Sequence, residues 1–151
     1  MKSFVMSTIL MPAAVMLAPP AAAMSLGSYD VHMPDRRDFH TWIWSATAPC
    51  RDPDSTKRVD CINVVTSPQP AAKAKSSFAE ARLVNGRYTM IIDEPFGLRC
   101  GDIYYRPTIP TRDVYSWDAT TLGGDLVSSF DEGCDGAPGG AFTYPFTLTR
   151  M

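Results

Sequence analysis

The stretch SFAEARLVNGRYTMII, residues 77–92, constrains this chain more than any other. Asn85 and Gly86 both tolerate positive φ, which a tight type I′ turn requires. Such a turn sets Leu83 opposite Tyr88, Ala81 opposite Met90 and Ala79 opposite Ile92, all on one side. The other side carries Phe78, Glu80, Arg82, Val84, Arg87, Thr89 and Ile91, mostly polar near the turn, with Phe78 and Ile91 as exceptions. Turn chemistry and alternation together favour a single antiparallel register.

The remaining segments read the same way. In FHTWIWSATAPC, from Phe39, Trp42 and Trp44 share one face of a strand, while Phe39, Thr41 and Ile43 share the other. Both faces cannot enter one closed core, so one is predicted to be exposed or covered. RVDCINVV, from Arg58, is a second strand, and TSPQPAAKAKSS after it reads as a linker. DIYY, VYSW and DLVSSF are shorter candidates. In AFTYPFTLTRM, Phe142, Tyr144, Phe146 and Leu148 share a face; Pro145 lacks a donor and predicts an edge or a bulge. Seven or eight short strands without a long 3.6-residue period predict an all-β domain. A disulfide-stapled β-meander closing into a barrel or a compact sandwich fits this pattern, spanning residues 39–151 behind an extended N-terminal arm, residues 24–38.

Residues 1–23 read as a signal peptide. Lys2 precedes an apolar run from Phe4 to Leu17; Pro19 and Pro20 follow, and small residues at Ala21 and Ala23 predict cleavage after Ala23. Of 151 residues, 128 remain, enough for one domain. Loss of Lys2 moves the formal charge from -2 to -3. No later stretch is apolar enough to span a bilayer as a helix, so the mature chain is expected to carry no transmembrane segment. Acidic and basic residues are mixed, with no basic stripe, which argues against nucleic acid as a partner. The predicted location is secreted or at the cell envelope.

Export decides how Cys50, Cys61, Cys100 and Cys134 are read. Four cysteines in an exported chain predict two disulfides. Three pairings exist; Cys50 with Cys61 and Cys100 with Cys134 is preferred, because each closes a polar loop. Zinc is disfavoured, since no CxxC or HxxxH spacing is present.

CINVVTS, NGRYTM, LRCGD, YSWDATTLGG, and GCDGAPGG followed by YPFTLTR are spread over most of the mature chain. With the leader, they resemble the small exported proteins of unknown function found in mycobacteria and related actinobacteria. The resemblance implies export and a cysteine-stapled β fold. It carries no catalytic residue with it.

Catalytic signatures are lacking. There is no GxSxG elbow, and PGG and TLGG lack a phosphate-loop context. His32 and His40 lie among Asp30, Asp35 and Asp38, which suits a polar arm better than an acid–base pair. In FDEGCDG, Asp131, Glu132 and Asp135 surround Cys134 and offer hard oxygens for calcium, although the EF-hand pattern is absent. Asp118 suits a turn acceptor before TTLGG. Trp42, Trp44, Tyr104 and Tyr105 form a candidate binding surface for an extracellular protein, a glycan or a lipid. The reading is a structural or ligand-binding β domain, non-enzymatic and without a cofactor. A small secreted hydrolase and a calcium-stabilised extracellular module are the alternatives.

Overall fold

The computed structural model describes residues 24–36, 41–70, 73–102 and 106–151. The predicted leader, residues 1–23, lies outside them, as do Asp38, Phe39, His40, Tyr104 and Tyr105.

Eight strands run in sequence order: β1 Gly27–His32, β2 Thr41–Arg51, β3 Lys57–Gln69, β4 Ser77–Val84, β5 Arg87–Arg99, β6 Thr108–Asp118, β7 Gly123–Glu132 and β8 Pro138–Arg150. Each pairs antiparallel with the next, and β1 also pairs with β8, from Tyr29 opposite Arg150 to His32 opposite Thr147. The all-β meander is therefore a closed barrel. Closure answers the choice between barrel and sandwich, and with eight strands the interior is just wide enough for side chains to fill.

The hairpin at Asn85–Gly86 has the expected register, with Leu83 opposite Tyr88 and Ala81 opposite Met90. Asn85 and Gly86 take φ of 50° and 76°. Two other readings need correction. Residues 24–38 are not simply an arm, because Gly27–His32 forms the strand that closes the barrel. The segment from Thr66 is not all linker, because β3 continues to Gln69, with Trp42 opposite Pro68. Pro68 masked the end of β3: proline bars a donor but allows extended backbone where a strand has a neighbour on one side only, as here beyond Thr66. Pro145 shows the same logic. It faces Asp125 on β7, while the β1–β8 ladder stops at Thr147.

Alternation fills the interior. Trp44, Trp117, Tyr88, Tyr29, Met90, Leu126 and Val64 are fully buried. Trp44 meets Tyr115 edge-on at 5.0 Å and Phe146 at 5.6 Å. Trp117 pairs with Gly124, where a Cβ would collide with the Ser116 carbonyl oxygen and the Trp117 Cβ. Glycine there lets β7 close against the indole-bearing strand. The two disulfides join Cys50 to Cys61 and Cys100 to Cys134. The first ties β2 to β3; the second ties the chain just after β5 to the turn between β7 and β8.

Candidate functional site

The two ends of the barrel differ in chemistry. At the end where β5 and β7 finish and β6 begins, the interior is polar. Asp113 is 1% exposed, and its Oδ1 accepts from Ser128 Oγ at 2.6 Å and Thr111 Oγ1 at 2.7 Å. Arg36 enters from the chain after β1 and places Nη1 3.7 Å from Asp113 Oδ2. Its Nη2 donates to the Gly97 carbonyl at 3.4 Å, and its guanidinium lies 6.0 Å from the Tyr144 ring centre. Glu94 is also buried, with Oε1 accepting from the Phe96 amide at 3.1 Å. Burial raises the Glu94 carboxyl above its usual range, opposed by the Phe96 hydrogen bond and reinforced by the Asp113 charge. Burial likewise pushes the Tyr115 phenol up, with Asp113 adding to the effect.

The buried acids of this cluster are each held by their neighbours. The Ser128 hydroxyl donates its proton to Asp113, and the described histidine, His32, stands at the outer end of β1 with no ion pair to a described residue. Asp113 completes three interactions within the barrel wall and its lid. Alternation carried a signal for it: Tyr115 and Trp117 point inward, so Asp113 and Thr111 must as well, and Glu94 follows Tyr88, Met90 and Ile92 in the same way.

The opposite end is apolar and open. Between the start of β1 and the β2–β3 hairpin lies a hollow of about 340 Å³, walled by Met24, Leu26, Val59, Ile62 and Tyr88. The Cys50–Cys61 bridge fixes the two hairpin strands at its back; Cys61 forms part of the wall. Met24 and Ile62 are buried, whereas Leu26 and Val59, at the lip, are 48% and 90% exposed. The Met24 amide donates to Tyr88 Oη at 3.1 Å. Burial raises the Tyr88 phenol, and that hydrogen bond draws it back. Two cations stand at the rim. Arg58 is held by Asp60, Nη2 to Oδ2 at 2.9 Å, and reaches Asp52 at 4.0 Å. Lys57 is exposed and makes no ion pair with a described residue.

The residues singled out from sequence fall elsewhere. Trp42 and Trp44, proposed for a binding surface, are 7% and 1% exposed and point into the barrel. The exposed side of β2 is the one bearing Thr41 and the half-buried Ile43. Indole rings supply the largest apolar area on the strand, so they take the inward face. Asp131, Glu132 and Asp135 are exposed and do not converge as a metal-ligand group among the described residues. Cys50, Cys61 and Glu80 do lie close together, but both sulfurs are in a disulfide and do not ligate as thiolates. Asp118 is a turn acceptor: its Oδ1 takes the Thr120 and Thr121 amides, each at 2.8 Å.

Comparison with protein-family models, curated proteins and solved structures gives no match for this chain. Among the described residues, no helix is long and apolar enough to cross a membrane.

Proposed function

We propose that this protein is an exported binding module of the secreted or cell-envelope compartment, released by cleavage after Ala23. The observation that carries the binding role is the apolar hollow at the Met24–Val59 end. Leu26 and Val59 keep large apolar surface in water beside a concave wall, an arrangement that favours an occupant. At the centre of the barrel the rings of Trp44, Tyr115, Trp117 and Phe146 interlock. Two disulfides in one small domain support an oxidising compartment.

Export is tested by fractionating the source cells and measuring intact mass. The reading predicts a species beginning at Met24 outside the cytoplasm; a cytoplasmic species retaining residues 1–23 would reject it. Binding is tested with an apolar fluorescent probe such as 1-anilinonaphthalene-8-sulfonate. Its saturable binding should be lost in Val59→Asp, a change at an exposed position that leaves the core untouched. Equal binding by the variant would reject the hollow as the site.

A further inference from the structure

The binding reading leaves the ligand's chemistry open, and the rim of the hollow narrows it. The wall is apolar: the Met24, Leu26, Val59 and Ile62 side chains and the Tyr88 ring. Tyr88 Oη already accepts from Met24 N, an amide in the uncut chain and the α-amino group once cleavage follows Ala23, so the polar atoms at the floor engage each other. A ligand tail entering there meets hydrocarbon. The volume, about 340 Å³, sits at the low end of the usual ligand-pocket range of roughly 300–1,000 Å³. That suits one unbranched chain better than a two-chain lipid or a fused ring system.

Charge at the mouth sets the other end of the ligand. Arg58 is compensated by Asp60 and Asp52. Lys57 is not paired within the described residues, and it belongs to the lining of the same hollow. One negative charge placed at the mouth therefore gains an ion pair without breaking one. A ligand cation would meet Lys57, while the nearby carboxylates of Asp52 and Asp60 already face Arg58.

We propose that the hollow binds a single-chain acyl carboxylate as a monomer, with its tail against Met24, Ile62 and Tyr88 and its carboxylate on Lys57 Nζ. This assignment rests on the binding-module reading above. Leu26 and Val59 flank the tail where it leaves the wall, and ligand binding covers both. The cation is a lysine on a flexible stem, so it follows a carboxylate at varied tail depth instead of fixing one geometry.

The test uses the mature chain, residues 24–151, with both disulfides intact and titrates three ten-carbon probes below their micelle-forming concentrations. These are decanoate, decanol and decylammonium, followed by calorimetry and by the methyl resonances of Met24, Leu26, Val59 and Ile62. Decanoate should bind one per chain, shift those methyls, and bind more tightly than the other two. Lys57→Gln should weaken decanoate by roughly two- to fivefold, the scale of one exposed ion pair, and leave decanol unchanged. Val59→Asp should weaken both, with an unaltered melting temperature showing that the fold is intact. Equal affinity for decanoate and decylammonium, or no effect of Lys57→Gln, would overturn the carboxylate assignment and leave an apolar site standing. Binding to anionic vesicles with no binding of monomeric decanoate would overturn it in favour of a membrane surface. Failure of all three probes to shift the methyls would overturn the binding reading itself.

Discussion

Trp117 stacks on Tyr88 with ring centroids 5.3 Å apart and planes 23° from parallel. Strand register causes this contact, because Tyr88 and Trp117 are direct partners across β5 and β6. Trp117 is fully buried, and its indole N–H has no acceptor among the described residues. Its value to the fold is thus apolar area and ring packing. Trp117→Ala should cost about 3–5 kcal/mol, measured by urea unfolding. Trp117→Phe should cost much less, because it keeps a ring on Tyr88 and removes an unpaired buried donor. Equal losses for the two variants would contradict a packing role.

The lid at the polar end behaves differently. Asp113 answers Arg36, Ser128 and Thr111 at once, so Asp113→Ala takes a counter-ion from a nearly buried guanidinium and the acceptor from two hydroxyls. A loss of about 3–5 kcal/mol is expected, the scale for removing one partner of a buried ion pair. The double variant Arg36→Met with Asp113→Leu should recover much of that loss, since it removes both charges from the barrel mouth. A double variant no more stable than Asp113→Ala would show that the pair supplies net stability.

Glu94 makes stability fall with rising pH. Desolvation raises its carboxyl in the folded state, so the folded chain binds a proton that the unfolded chain has already released. The favourable contribution is present at acid pH and disappears as pH climbs through the raised folded value. Glu94→Gln should therefore melt higher than the parent at neutral pH and converge with it in acid. Its amide oxygen still accepts from Phe96, which keeps the comparison to charge alone. A gap that widens toward acid pH would contradict the assignment.

The disulfides should contribute unequally. Cys50 and Cys61 are separated by 11 positions, Cys100 and Cys134 by 34. Chain-entropy estimates give about 3 and about 4 kcal/mol respectively. Paired Cys→Ser variants, each unfolded in urea, should show the larger loss at Cys100–Cys134. The smaller loop has a second effect: it backs the hollow, so its removal should also weaken ligand binding. A Cys50→Ser/Cys61→Ser variant that binds normally would detach the bridge from the site.

Local chemistry made the barrel wall legible, and distance hid much of the rest. Asn85–Gly86 set a register that holds in the fold, and alternation in AFTYPFTLTRM placed Phe146 and Leu148 inside. Alternation also contained Asp113 and Glu94, but an acidic residue on an aromatic stripe looks like a break in the pattern until a cation is placed beside it. That cation, Arg36, lies 77 positions before Asp113, in the polar segment that follows β1. The Trp42–Trp44 face drew attention as a surface because sequence shows two apolar sides of β2 without showing which one the other seven strands enclose. The apolar hollow left even less trace. It needs Leu26, Val59 and Tyr88 from three different strands or their flanks, and none of them is unusual alone.

A ligand held at the Met24–Val59 end, and not in the interior, would lie against residues 24–26 and 59–62. A decanoate analogue carrying a photoreactive diazirine near the end of its tail tests that most directly. After irradiation and peptide mapping, the account predicts label within residues 24–26 and 59–62, suppressed by excess decanoate. Label concentrated on interior positions such as Tyr115 or Leu126, or label spread over the surface and insensitive to competitor, would contradict it.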